Sequence, residues 1–436
     1  MHKKRKNRQE EYIMLRGDEK YSQYLQILRE ELIPAMGCTE PIAMAYAAAK
    51  ARAVLGAMPE KIDIIISGNI IKNVKSVVVP NTGGLKGITA AIAAGVAVGD
   101  ENKQLEVLAD VKEEDVHLVS EFMDSCQMTV MKSESDKLLD IDLRLYKGSD
   151  IVHLRITDFH TNIVLIEKNG EILLKLDSAG TDGGETDRSV LNVKEIIEFA
   201  EIVDISEVQE LLDKQIEYNY TISKEGLNGE YGASIGKTLL KTRGDDVRVR
   251  ARAQAAAGSD ARMSGCELPV VIVSGSGNQG MTASLPVIVY AEDMNASHEK
   301  LLRALVVSNL ITIHQKTPIG RLSAFCGAVS AGCGAAAGVA WLLDGSYEAV
   351  SSTITNTLGM ISGTVCDGAK PSCATKIASA VEAGILGFDL YKNGKGLNGG
   401  DGILKDNVEE TIESVGKLAR EGMRQTDSEI LDIMLE

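Results

Sequence analysis

Four cysteines crowd the final third of this 436-residue chain, Cys326 with Cys333 and Cys366 with Cys373, each pair seven residues apart. Thiolates gather in this way around soft metals. On one helix Cys326 and Cys333 would share a face about two turns apart. The turn that Gly368 and Pro371 build could bring the other two sulfurs to the same point. The spacing is not the Cys-x-x-Cys of zinc ribbons or ferredoxins. A free cysteine in an Ala/Gly-rich helix is also an ordinary small core residue, so a metal site and plain packing both stand at this level. Cys126 and Cys266 read as core.

Three further stretches carry chemistry. In Met36-Gly-Cys-Thr-Glu-Pro41, Cys38 precedes a helix start, a position that lowers a thiol pKa and suits a base or nucleophile. Cys373 follows Ser372, which reads as an N-cap, so its sulfur too sits where backbone N–H groups favour negative charge. Ser274-Gly-Ser-Gly-Asn-Gln-Gly280 follows a buried apolar run, and such loops expose N–H groups able to hold a carboxylate or phosphate. That loop also suits a pyridoxal-phosphate eliminase, but no convincing Schiff-base lysine motif accompanies it. Gly232 to Thr238 imitates a phosphate-binding loop and lacks its first glycine, Tyr231 standing there. Among the few histidines, His160 is the one placed for function, between two strand-like runs; a hydrogen-bonded turn residue is the plainer alternative.

These residues need elements to position them. Tyr21, Tyr24, Leu25, Leu28 and Leu32 recur at helical spacing up to Pro34, and a second helix opens at Thr39 with Thr39 as its N-cap. Ile62 to Ile66, Ile70 to Val79 and Ile151 to Thr157 read as strands. Residues 162–168 and 171–175 flank Asn169-Gly170, a two-residue hairpin turn. Helices are expected near Ile88 to Val98 and Asp115 to Met123. Asp177 to Asp187 is acidic and nearly free of apolar residues, the mark of a boundary or exposed loop. Helical patterns then run to the C-terminus. Leu322 to Leu343 has no charge, but its Ala, Gly, Ser and Cys content suits a buried central helix rather than a membrane span.

Lys plus Arg is 46 against 62 for Asp plus Glu, a net charge of −16 that argues against nucleic acid as a partner. The basic start, Met1 to Tyr12, is followed by no apolar leader and reads as a frayed tail. An odd count of seven cysteines in so large a chain then fits reduced thiols and a cytoplasmic setting.

With GCTEP, PNTGG, DFHTNI, GSGNQG and CDGAKPSC in this order, the chain from about Tyr21 onward resembles the L-cysteine desulfidase family, relatives of the iron–sulfur L-serine dehydratase alpha chain. The resemblance implies a [4Fe–4S] cluster held by Cys326, Cys366 and Cys373, its fourth iron open to act as a Lewis acid. Cys333 is then a packed helix residue. If it ligated as well, the cluster would be closed and the chain a metal store or redox sensor without turnover. The implied reaction is β-elimination of L-cysteine to hydrogen sulfide, ammonia and pyruvate, with L-serine dehydration as the alternative. Cys38 is the candidate base near Cα. Asn278 and Gln279 are candidates for the substrate carboxylate, with Thr39, Asn81, Thr82, His160 and Lys370 as further pocket residues.

The resulting expectation is an α+β enzyme with three parts. Residues 1–58 form a helical segment bringing Cys38, residues 59–190 an α/β region with the hairpin, and residues 191–436 a helical iron–sulfur domain. A small amino acid is the expected partner, with neither nucleic acid nor membrane, and a homo-oligomer is left open.

Overall fold

The computed structural model describes residues 14–135, 137–176, 186–320 and 322–435. The basic tail before Met14 and most of the acidic stretch 177–187 lie outside the described residues.

The chain begins with α1 (Glu19–Glu31), whose buried Tyr21, Tyr24, Ile27 and Leu28 form one stripe, and the short β1 (Pro34–Met36). The helix α2 (Thr39–Leu55) is buried over most of its surface, so it lies inside the molecule rather than on it. Then follow β2 (Lys61–Ile66), α3 (Gly68–Val74), α4 (Gly87–Val98) and α5 (Val116–Ser125). The strands β3 (Gln127–Lys132), β4 (Asp140–Lys147), β5 (Asp150–Thr157), β6 (Ile163–Lys168) and β7 (Glu171–Lys175) complete a sheet of order β3-β2-β4-β5-β6-β7. Only the β2–β3 pair is parallel. Asn169 and Gly170 both adopt positive φ, as the turn between β6 and β7 requires.

One face of this sheet packs on α2, and α4 covers α2 from behind. The approach is close because Gly95 has no side chain: a Cβ there would lie 2.1 Å from the carbonyl oxygen of Ala45.

Beyond the sheet the chain is helical apart from β8 (Pro269–Val271), which pairs antiparallel with β1 and so ties the N-terminal segment to the helical part. The helices are α6 (Val193–Ile202), α7 (Ile205–Asn228), α8 (Ile235–Arg243), α9 (Val247–Met263), α10 (Gly277–Asp293) and α11 (His298–Ile319). They continue as α12 (Gly327–Leu343), α13 (Tyr347–Ile361), α14 (Cys373–Lys392), α15 (Val408–Lys417) and α16 (Arg424–Leu435). At the centre lies α12, packed against α10, α11, α13 and α14. Its small residues permit this: at Gly334 a Cβ would meet the Thr312 hydroxyl at 2.0 Å. The expected α+β class is therefore present, with a mixed sheet and a larger helical part. Among the described residues no helix is long and apolar enough to cross a membrane.

Three local expectations are corrected. Ile70 to Val79 is not a strand: its first half is the helix α3, in which every residue from Asn69 to Val74 is buried. Tertiary burial overrides the β-branched composition there. The N-cap of α2 is Cys38, not Thr39. The central helix starts at Gly327, so Cys326 is its N-cap and does not share a helical face with Cys333.

Candidate active site

Between the α2–α3 side of the molecule and the helical part lies a cavity of about 110 Å³. Four helices open on it with their N-terminal ends: α2 through Cys38, Thr39 and Glu40, α10 through Ser276, Asn278 and Gln279, α12 through Cys326 and Gly327, and α14 through Cys373. Unpaired first-turn N–H groups and aligned helix dipoles make each such end attractive to negative charge. Arg262, Lys72 and Lys316 add three cationic side chains to the wall. Glu40 is the acid among the lining residues. The enclosure is suited to anions.

Cys326, Cys366 and Cys373 all line this cavity. Cys326 is fixed by the start of α12 and by the backbone of the cysteine turn, with Cys326 N–H donating to Thr364 O and Cys366 N–H to Ala324 O. Cys373 opens α14. The turn itself depends on Gly368, whose φ of +90° suits glycine and whose missing Cβ would lie 2.2 Å from Lys72 O. The cysteine turn is thus pressed against the backbone of α3. Asp367 accepts from Lys370 and Lys376, and these contacts hold its carboxyl below the usual range although burial opposes them.

Burial, and next the charge of Cys366, push the Cys326 thiol up to about 12. Burial likewise raises Cys373, with Lys370 opposing. The thiols therefore sense one another across the cavity. Among the described residues no three His, Cys, Asp or Glu side chains are grouped as ligands of a single metal ion. A cluster makes a different demand, since its cysteines bind separate irons and stand farther apart than donors to one ion. Three inward thiols ringed by helix N-termini and cations suit an anionic iron–sulfur group in donor type and charge.

Cys333 lies elsewhere. It is fully buried in the middle of α12, its sulfur 3.8 Å from Ile354 O, and does not line the cavity.

In the same cavity, with Ala369 and Cys373 of the cysteine turn packed against the cluster that holds Cys38, stands a pair the sequence only half disclosed. The Cys38 thiol donates to Glu40 Oε2 at 3.2 Å, the Thr39 hydroxyl donates to the same oxygen at 3.0 Å, and Asn73 Nδ2 donates to Glu40 Oε1 at 3.0 Å. His160 Nε2 lies 4.0 Å from Glu40 Oε1, one layer behind. The expected lowering of the Cys38 pKa is reversed. Burial first and the Glu40 charge second push the thiol well up, and Arg262 opposes them only in part. Cys38 is thus a thiol at neutral pH, with a carboxylate in reach of its proton.

Of the other sequence candidates, Thr39, Asn278 and Gln279 line the cavity. Gln279 Oε1 is buried there without a hydrogen-bond partner, while Asn278 Oδ1 accepts from Arg262 Nη1 at 3.1 Å. Asn81 and Thr82 are not brought to the cavity. Asn81 donates to Leu108 O and Thr82 to Val79 O, so both hold the chain between α3 and α4. Lys370 also stands outside the lining and serves the cysteine turn, donating to the carbonyls of Asp367 and Gly368.

Sequence reasoning missed Glu40, Arg262, Asn69, Lys72, Asn73 and Lys316. An acid in the first turn of a helix is ordinary helix grammar, which hid Glu40. Arg262 left one faint signal, a lone cation closing the Ala-rich run of α9 just before the glycine loop.

A profile of the serine dehydratase alpha chain family matches residues 102–432. The chain is 57% identical over 425 residues to a UPF0597 protein of Desulfitobacterium hafniense, covering 97% of this chain and 98% of that relative. It is 52% identical over 417 residues to a UPF0597 protein of Lachnoclostridium phytofermentans, covering 95% and 100% of the two chains. A UPF0597 protein of Treponema denticola is 50% identical over 428 residues, covering 96% and 98%.

Proposed function

We propose, from the premise that this chain belongs to the serine dehydratase alpha chain family, that it is an iron–sulfur-dependent lyase removing sulfide from L-cysteine by β-elimination. The observation that carries the reading is the meeting of two groups in one cavity: Cys326, Cys366 and Cys373, and the Cys38–Glu40 pair, with Cys373 packed in the same cluster as Cys38.

The three cysteines would hold a [4Fe–4S] cluster, which when bound supplies Lewis acidity at an iron without a protein ligand. The chain's own residues do the rest. The α-proton of an amino acid is weakly acidic and needs a positioned base. As the Cys38 thiol passes its proton to Glu40 Oε2, its sulfur becomes able to take the proton from Cα. Thr39 and Asn73 steady the Glu40 carboxylate for this transfer. The Cα–H electron pair forms the Cα–Cβ double bond and the Cβ–S bond breaks, releasing sulfide and aminoacrylate. Aminoacrylate tautomerises to an imine, and water hydrolyses it to pyruvate and ammonia.

L-Serine is the second reading, favoured by the family description itself. A thiolate is the better leaving group and a good ligand for soft iron, which favours cysteine. Anaerobic reconstitution with iron and sulfide, followed by assays of sulfide, ammonia and pyruvate from L-cysteine beside L-serine, tests both. About four irons per chain with faster turnover of L-cysteine supports the proposal. A protein that takes up iron and turns over neither amino acid ends it.

A further inference from the structure

Arg262 raises a question that the elimination chemistry leaves unanswered. The residue is 3% exposed at the end of α9, where it lines the cavity. Arg262 Nε donates to Gly37 O at 2.9 Å and Nη1 donates to Asn278 Oδ1 at 3.1 Å. Both acceptors are neutral. Among the described residues no carboxylate stands within ion-pair distance of the guanidinium, and none accepts a hydrogen bond from Nη2. A buried cation without a counter-charge is costly. Glu40, the acid on the same cavity wall, already accepts from Cys38, Thr39 and Asn73.

The local backbone makes room for this arrangement. Gly277 is the first residue of α10, and a Cβ there would lie 2.5 Å from Arg262 Nε and 2.8 Å from its Cζ. The guanidinium therefore rests against the helix start, with Asn278 holding one edge of its fork. A carboxylate arriving beside Nη2 would meet a guanidinium and the free N–H groups of the α10 first turn together. Arg is the side chain whose planar donors match a carboxylate in this way.

We infer that Arg262, oriented by Gly37 O and Asn278, is the anchor for the α-carboxylate of the substrate, so that the site takes free α-amino acids and rejects their esters and amides. The inference rests on the lyase reading for the identity of the reaction, but not for the binding it asserts. It assigns Asn278 a positioning role through Arg262 rather than the first claim on the carboxylate. It also gives the cavity its direction: carboxylate toward α10, side chain toward the cysteine turn, and α-proton toward Cys38.

The test compares the reconstituted wild-type protein with Arg262→Gln and Arg262→Lys, each checked for iron content and melting temperature. Turnover of L-cysteine and of L-cysteine methyl ester gives the acid-over-ester preference. Binding of L-alanine and L-alaninamide, followed by ligand NMR line broadening, needs no turnover. Wild type is expected to prefer the acid and to bind L-alanine over the amide. Arg262→Gln should lose about 100-fold in kcat/KM for L-cysteine, mostly through KM, with the preference for the acid collapsing. Arg262→Lys should fall between, keeping charge but not the fork. Turnover with an unchanged acid-over-ester preference in Arg262→Gln overturns the anchor and leaves the lyase standing. Wild type without turnover that binds L-alanine through Arg262 keeps the anchor and drops the lyase. Wild type that binds alanine and alaninamide alike overturns the anchor whatever the variants do.

Discussion

The Cys38 sulfur stands 3.2 Å from a carboxylate oxygen of Glu40, two residues further along the start of α2. Helix geometry keeps the pair together, and the partners of Glu40 come from α2 and α3.

Replacing either member should stop the proton transfer without emptying the site. Glu40→Gln retains shape and hydrogen bonding but cannot accept the thiol proton, and Cys38→Ala removes the thiol. Each is expected to lower kcat by about 10²- to 10⁴-fold, the usual share of a positioned acid or base. Iron and acid-labile sulfide should remain at wild-type levels. Rapid turnover by Cys38→Ala would remove Cys38 from the mechanism.

The four C-terminal cysteines should separate into two classes on substitution. Cys326→Ser, Cys366→Ser and Cys373→Ser are each expected to lose iron and visible absorbance on anaerobic reconstitution. Cys333→Ala should keep both, at a stability cost of ~1 to 2 kcal/mol for the space left inside α12. Iron content equal in all four variants would contradict the assignment of ligands.

Lys72 is 2% exposed and pairs with Asp427 of α16 at 2.5 Å. Asp427→Asn leaves a buried ammonium on the cavity wall without its counter-charge. The partial exposure of Asp427 moderates the loss, so we expect destabilisation of ~1 to 3 kcal/mol. Limited proteolysis should then cut near α16 faster than in wild type. Cleavage at the wild-type rate would show that the pair does not hold the C-terminal helix.

Asp260 is fully buried in α9, and its carboxylate accepts the Ile235 N–H at the start of α8 at 2.6 Å. Burial outweighs the backbone donors Ile235, Gly236 and Ala233 and pushes the carboxyl up to about 6. The folded state then holds the proton more tightly than the unfolded chain, so this group's contribution is full at low pH. It is lost as pH rises from about 4 through about 6, by at most ~3 kcal/mol. Asp260→Asn removes that dependence. Its melting temperature relative to wild type should rise between pH 4.5 and pH 7, and a difference constant with pH would refute the assignment.

Much of the fold was legible locally because the signals are local. Tyr21 to Leu32 has helical period, Asn169-Gly170 demands a hairpin, and the Ala/Gly run after Cys326 suits a central helix. The run Ile70 to Val79 misled because branched side chains fit a buried helix when neighbours on both sides cover it. Cys38 misled in another way: its place before α2 was correct, but its pKa is set by burial and by Glu40 rather than by the helix end alone.

The sequence by itself determined the donor types and their order: a thiol before α2, a glycine loop before α10, and a cysteine turn before α14. Only the tertiary structure decided which of them meet. It brought four helix starts to one cavity, left Cys333, Asn81 and Thr82 outside it, and aimed Glu40 and Arg262 inward. The physical reason is range. Turns and helix starts are governed by a few adjacent residues, whereas a buried charge is defined by what surrounds it, and Arg262 and its neighbour Gly37 are 225 residues apart in the chain.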